Sequence, residues 1–145
     1  MDNSTAPAAL EELARLVRRA SQELDRAIAT SLGENSVVRW HALAAVVDGV
    51  GYPMSHLAEA TLLTGANLTR LIDGMIADNL VHRKVDDTDR RRVLVFPTRR
   101  GVLAFQAMNR AVGASGLDAL AAGNARLAKS LAGLVDQLHT EPATT

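Results

Sequence analysis

The sequence lacks cysteine entirely, and this absence already excludes several kinds of protein. Without thiols, the chain can form no disulfide, no thiolate metal site and no thiol-based redox sensor. It has no apolar run near the roughly 20 residues that cross a bilayer, and its first residues lack the basic flank and apolar stretch of a signal peptide. We therefore expect a cytoplasmic protein that has no membrane partner.

Aromatic residues are scarce, at 3% of the 145 residues, whereas apolar residues as a whole make up 48%. This composition is enough for the core of one domain, which must be mainly aliphatic and is expected to be helical. Sixteen basic and sixteen acidic residues cancel, so the net charge does not indicate a nucleic-acid partner. The segment from His82 to Gly101 differs, because it holds seven Arg or Lys residues and only three Asp.

Apolar spacing predicts helices along most of the chain. They are expected from about Ala8 to Leu32, from Ser36 to before Gly49, from Ser55 over a brief segment, from Thr64 to Asn79, and from Thr98 to Gly113. Ser36, Ser55, Thr64 and Thr98 are candidate N-caps, and Asn79 is a candidate left-handed residue after a helix end.

The last predicted helix carries a heptad seam with a single polar residue inside it. The seam consists of Leu117, Leu120, Asn124, Leu127, Leu131, Leu134 and Leu138. Such a stripe can pack within one chain, but amphipathic helices at both ends offer more apolar surface than a small central module covers. We therefore predict a homodimer held by both ends, through Leu13 and Val17 of the first helix and Leu120, Leu127, Leu131 and Leu134 of the last.

Between these ends the period changes from helical to extended. LVHRKV and RVLVF are short Val-rich runs separated by a polar loop, which is typical of a β-hairpin. The two short helices before them, joined by a tight turn, indicate a helix-turn-helix, and the hairpin makes it a winged one. A helix of this kind fits a major groove, while a basic hairpin can reach phosphates or the minor groove. The charged loop could otherwise be a solvated turn whose charges neutralise one another.

The stretch VDDTDRRRVLVFPTRRG resembles the wing of MarR-type regulators, which follows D-x-R-x-x-x-V-x-L-T-x-x-G. Asp89, Arg91, Val95, Thr98 and Gly101 match this motif, with Pro97 in place of the usual Leu. TRLID and NLVHR before the hairpin, and RWHALAAV upstream, resemble the same family. The resemblance covers residues 37–101 in sequence, and the terminal helices in pattern only.

The resemblance implies a homodimeric, ligand-responsive transcriptional regulator, usually a repressor, that reads a pseudo-palindromic operator in double-stranded DNA. Arg91 would enter the minor groove with Asp89 as its anchor, and Arg90 and Arg92 would flank it at the wing tip. The residues that would face the major groove are Thr64, Ala66, Asn67, Thr69 and Arg70.

Two positions depart from the family pattern. Leu62 stands where the family often has the glycine of the tight turn, and Gly65 stands where a polar or basic contact is common. The recognition helix is therefore poor in long polar side chains. This departure favours readout through DNA backbone and shape over direct base contacts.

A small aromatic or amphipathic ligand is also implied, and the candidates to bind it are Arg19, Arg39, Trp40 and His41. A cation beside an aromatic ring suits an aromatic carboxylate, although a single Trp such as Trp40 is more often a core residue, and Arg39 or His41 taken singly is more often a surface residue. The four histidines lack metal-ligand spacing, and neither a phosphate loop nor a nucleophile elbow is present. We expect neither a cofactor nor a metal, and not an enzyme.

The sequence thus predicts a mainly α protein with a small β-hairpin wing, in which a winged helix-turn-helix is flanked by dimerisation helices at both termini. The expected segments are residues 1–35 for dimerisation, 36–98 for DNA binding and 99–145 for dimerisation. The alternative function is a winged-helix module that docks proteins and has no specific DNA binding.

Overall fold

The structure, a computed structural model, describes residues 5–140, which form seven helices and three strands. In chain order the elements are α1 (Thr5–Leu32), α2 (Glu34–Val46), β1 (Tyr52–Pro53), α3 (Met54–Thr61), α4 (Gly65–Ala77), β2 (Val81–Val85), β3 (Val93–Pro97), α5 (Arg99–Ala114), α6 (Leu117–Gly123) and α7 (Ala125–Thr140). The outer ends of the two predicted dimerisation segments, residues 1–4 and 141–145, lie outside the described residues.

The main core lies between α2, α3, α4 and the sheet. Its largest fully buried side chains are aliphatic or thioether groups, as the scarcity of aromatics predicted: Leu43, Val46, Leu57, Ile72, Met75 and Val95. Each such side chain stabilises the fold by roughly 1.5–3 kcal/mol relative to an exposed one. A smaller cluster of Ile28, Val37 and Val112 joins α1, α2 and α5.

The predicted hairpin is confirmed. β2 and β3 pair antiparallel with Arg83 opposite Val95, and Val81 and Val95 bury the inner face. Tyr52 and Pro53 add a short third strand on the other edge of β3, so that the strand order is β1-β3-β2.

Two predicted helix ends are confirmed by backbone geometry. Thr98 is the N-cap of α5, and its hydroxyl accepts the N–H of Gly101 at 2.9 Å. Asn79 follows α4 in the left-handed region, with φ of 59°. Both signals are local, and such capping signals can be read from sequence alone.

Several predicted boundaries were wrong. The first helix begins at Thr5 instead of Ala8, and α2 begins at Glu34, with Gly33 as its N-cap in place of Ser36. α3 begins at Met54, one residue before Ser55, because the preceding Pro53 has the extended conformation of an N-cap.

The predicted last helix is interrupted at Asn124, which divides it into α6 and α7. The side-chain amide of Asn124 donates to the carbonyl of Leu120 at 2.8 Å, while its backbone N–H turns to the carbonyl of Ala121 at 3.1 Å. Asn side chains compete in this way with backbone helix bonds, and the preceding Gly123 has low helix propensity.

The terminal helices expose the residues predicted for dimerisation. Leu13, Val17, Leu120, Leu127 and Leu131 are 38–53% exposed, and Leu134 is half-buried. α1 packs on α2 and α5, whereas the main contacts of α7 are with α6. None of the helices among residues 5–140 is long and apolar enough to cross a membrane.

Candidate nucleic-acid interface

α3 and α4 are joined by a three-residue turn that starts at Leu62. This residue adopts φ of 59° and ψ of 24°, and its N–H donates to the carbonyl of Ala58 at 2.9 Å. Leu62 therefore has the left-handed conformation that glycine adopts easily, and it stands where the family often has a glycine. For an L-residue this conformation costs roughly 1–2 kcal/mol. The Leu62 side chain is 81% exposed, so packing offsets little of this conformational free energy.

The first turn of α4 accounts for the second departure from the family pattern. Thr64 is the N-cap in extended conformation, as predicted, but its side chain forms no capping hydrogen bond. Gly65 has φ of 56°, which side-chain-bearing residues rarely adopt. Glycine at this position therefore meets a backbone requirement, and a long polar side chain there would strain the helix start.

The outer face of α4 brings the predicted major-groove residues together. Leu68, Ile72 and Met75 point into the core, and the opposite face is exposed. That exposed face includes Thr64, Ala66, Asn67, Thr69 and Arg70.

The side chains of Asn67, Thr69 and Arg70 all form hydrogen bonds within α4 itself. Arg70 Nη2 donates to Asn67 Oδ1 at 2.6 Å, and the Thr69 hydroxyl donates to the Gly65 carbonyl at 3.2 Å. The bond between Asn67 and Arg70 holds these two side chains together on the exposed face of α4.

The wing loop is organised by the carboxylate of Asp86. Asp86 Oδ1 accepts the backbone N–H of Thr88 at 3.0 Å and its hydroxyl at 2.8 Å. These two hydrogen bonds hold the pKa of Asp86 below its usual value. The backbone N–H of Asp86 donates to the Arg92 carbonyl at 2.9 Å, which closes the loop. Asp86 therefore shapes the wing tip.

At the tip, Asp89 and Arg91 form the predicted pair. Asp89 Oδ1 accepts the backbone N–H of Arg91 at 3.1 Å and its Nε at 3.2 Å, while the Arg91 side chain remains 92% exposed. Arg90 and Arg92 are exposed beside it. Three guanidinium groups are thus displayed at one hairpin end.

The wing is also tied to the recognition helix by a contact that the sequence did not predict. Arg83 Nη2 on β2 donates to Asp73 Oδ1 on α4 at 2.8 Å. The two residues are neighbours only because α4 packs on the first strand of the hairpin. This ion pair is a side-chain contact between the wing and α4.

A pocket of about 510 Å³ lies between α1, α2 and the last turn of α3. Its polar lining includes Asp25, Arg26, Glu34 and His41, and Val37 contributes apolar surface. Of the four predicted ligand residues, His41 alone lines this pocket.

The other three predicted ligand residues lie elsewhere. Arg39 bonds to Asp78, Trp40 donates to Asn109 and packs against Phe105, and Arg19 is exposed on α1. No sequence signal pointed to Asp78 or Asn109 as partners. Among residues 5–140, no group of three or more His, Asp or Glu side chains is arranged to hold a metal ion.

The helix pair α3–α4 with its three-stranded wing defines a winged helix-turn-helix protein. The model of the MarR family matches residues 36–92, which span α2 through the wing loop. A comparison with curated protein sequences returned no match.

Solved structures of MarR-type proteins have the same fold over most of the chain. Apo MarR of E. coli is 22% identical, with 87% of this chain and 96% of that chain covered and a TM-score of 0.66. A MarR family transcriptional regulator of Silicibacter pomeroyi is 29% identical, with 87% and 94% covered and a TM-score of 0.63. BpsR of Bordetella bronchiseptica, whose DNA binding is regulated by 6-hydroxynicotinic acid, is 20% identical, with 89% and 94% covered and a TM-score of 0.65.

Residues 36–92 thus match the model of the MarR family, and the described chain has the fold of MarR-family transcriptional regulators. The predicted fold class and the family resemblance are both confirmed.

Proposed function

We propose that the protein is a homodimeric, sequence-specific DNA-binding transcriptional regulator, a repressor that a small aromatic or amphipathic ligand releases from its operator. The observation that carries the proposal is the exposed outer face of α4 beside an arginine-tipped wing, with the Asp73–Arg83 ion pair holding the two together. α4 enters the major groove, and Arg91 enters the adjacent minor groove, whose negative potential attracts arginine.

Specificity in this arrangement comes from a short list of side chains. Asn67 and Arg70 are the long polar groups on the face of α4, and they act as one unit because they are hydrogen-bonded to each other. Thr64, Ala66 and Thr69 offer small contacts to the bases or the backbone. Because few side chains can contact bases directly, the shape of the minor groove at the wing contributes a large share of the selection among DNA sequences.

The homodimer is formed by residues 1–35 and 99–145, and residues 36–98 bind DNA. Exposed leucines on α1, α6 and α7 support this division, because apolar side chains are stabilised when a partner removes them from water. Two winged helices on one dimer then meet half-sites of a pseudo-palindrome one helical turn apart, about 10 base pairs.

Release by a small molecule is supported by the pocket between α1, α2 and α3. Its volume of about 510 Å³ suits a compact ligand. The pocket reaches Thr61, the last residue of α3, so a bound molecule contacts the start of the turn before the recognition helix. The regulation of BpsR by 6-hydroxynicotinic acid is a precedent in the same fold.

The test is fluorescence anisotropy of labelled duplexes from the upstream region of the protein's own gene, measured at two salt concentrations beside random duplexes of equal length. A regulator binds the upstream DNA selectively, and log K falls linearly with log salt in proportion to the phosphates contacted. Equal or absent binding to both duplexes would reject the regulator and favour the module that docks proteins.

A further inference from the structure

One turn of α2 contacts three other parts of the fold through three consecutive residues. Arg39 Nη1 donates to Asp78 Oδ2 at 2.6 Å, and Asp78 is the C-cap of the recognition helix α4. Trp40 Nε1 donates to Asn109 Oδ1 on α5 at 2.7 Å. His41 Nε2 lies 2.9 Å from Asp25 Oδ1 on α1. Successive helix residues point about 100° apart, which lets three neighbours reach three different helices.

The contact between Arg39 and α4 lies beside a glycine of α4. A Cβ atom at Gly74 would lie 3.2 Å from Nη2 of Arg39, closer than ordinary van der Waals contact. The guanidinium packs against α4 beside Gly74, and the Arg39 side chain is 29% exposed. Arg39 is held both by the ion pair and by this close packing.

The Trp40 ring lies against residues of both remaining contacts, the one with α5 and the one with α1. Its ring stacks on Phe105 of α5 with centroids 6.4 Å apart, and it meets the His41 ring edge-on at 5.1 Å. A movement of α1 or α5 relative to α2 thus displaces side chains adjacent to Arg39.

We propose that Arg39, Trp40 and His41 are positioning residues that fix the recognition helix relative to α1 and α5. The inference rests on the proposed DNA-binding function, which it deepens by naming the residues that orient the recognition helix.

The test is a double-mutant cycle between the two ends of this connection. Asp25→Asn weakens the contact to α1, and Asp78→Asn weakens the contact to α4, each with little change of side-chain size. The readout is affinity for a duplex that the wild-type protein selects from random-sequence DNA. Losses at independent sites multiply to within about twofold. We expect the fold loss of affinity in the double variant to be at least three times smaller than the product of the two single fold losses. The reason is that either substitution alone already disconnects α4 from α1.

The matched control pairs Asp78→Asn with Glu23→Gln. Glu23 pairs with Arg26 within α1 at 3.1 Å, so this substitution removes the same charge from α1 without touching α2. Its effect should multiply with that of Asp78→Asn. Multiplicative losses for Asp25 and Asp78 as well would overturn the proposal.

A readout without DNA separates this inference from the proposed function. Trp40 is the sole tryptophan, so intrinsic fluorescence reports its surroundings alone. Asp78→Asn should shift the Trp40 emission, and Asp25→Asn should speed amide exchange along Gly65–Ala77 of α4. If wild-type protein selects no duplex but both changes occur, the DNA-binding function fails and the connection stands. If neither change occurs, the connection is rejected whatever the DNA result.

Discussion

One carboxylate oxygen of Asp89 accepts two hydrogen bonds from Arg91, one from its backbone N–H and one from its side-chain Nε. The remaining guanidinium nitrogens face solvent, since the side chain is 92% exposed. Asp89 therefore orients the Arg91 side chain through Nε and leaves the terminal guanidinium nitrogens exposed. This geometry explains why the wing motif places an acidic residue two positions before the arginine.

The first prediction concerns this arginine. Arg91→Ala should weaken binding to the selected duplex by at least tenfold, equivalent to about 1.4 kcal/mol, and lower the slope of log K against log salt by about one. Anisotropy titrations measure both quantities, and sedimentation should find the assembly state unchanged. Arg110→Ala, which removes the same charge from the exposed surface of α5, is the control. Unaltered affinity in Arg91→Ala would show that the wing tip does not contact DNA.

The second prediction concerns the seam on α7. Replacing Leu127 and Leu131 together by Asp should give monomers or insoluble chain, because charges placed in an apolar interface lose their hydration without gaining partners. Light scattering coupled to gel filtration measures the mass. Lys129→Asp changes the net charge of α7 by the same amount at a position between the two leucines that lies off the seam, and it should leave the assembly unchanged. A double variant with wild-type dimer mass would mean that the seam packs within its own chain.

The parts of the fold that the sequence predicted correctly depend on local signals. Apolar spacing located the helices, and the Val-rich runs located the hairpin. Thr98 was predicted as an N-cap, and Asn79 as the left-handed residue after α4. The wing motif correctly paired Asp89 with Arg91, which are two residues apart. In each case, the residues that determine the structure are close together in the chain.

The parts that escaped prediction depend on contacts between distant residues. The hydrogen-bonding partners of Arg39, Trp40 and His41 were not predicted, because they lie 39, 69 and 16 positions away along the chain. Only the packing of α2 against α4, α5 and α1 reveals these pairs. The break at Asn124 was missed for another reason: a heptad pattern counts apolar spacing and ignores how an Asn side chain competes for the backbone carbonyl of Leu120.

The third prediction concerns the turn between α3 and α4. Leu62→Gly should raise the free energy of unfolding by about 0.5 kcal/mol, because relief of left-handed strain slightly exceeds the greater freedom of glycine in the unfolded chain. Urea denaturation measures the change. Leu62→Ala removes the same exposed side chain but keeps the strained conformation, so it should alter stability little. Equal stabilities of the glycine and alanine variants would show that Leu62 is not strained.

The fourth prediction concerns Tyr52, the only tyrosine of the chain. Its hydroxyl donates to Asp48 Oδ2 at 2.5 Å, and this hydrogen bond raises the pKa of Tyr52 above its usual value near 10 and lowers the pKa of Asp48. Because the tyrosine pKa is higher in the folded state, the resulting stabilisation is complete below pH 10 and is lost as pH rises through the folded-state pKa. The contribution of Asp48 to stability has the opposite pH dependence, since it is lost as pH falls through the lowered pKa of Asp48. The near-ultraviolet absorbance of tyrosinate titrates Tyr52 alone, and its midpoint should fall toward the usual value in Asp48→Asn. An identical midpoint in both proteins would show that the hydrogen bond does not persist in solution.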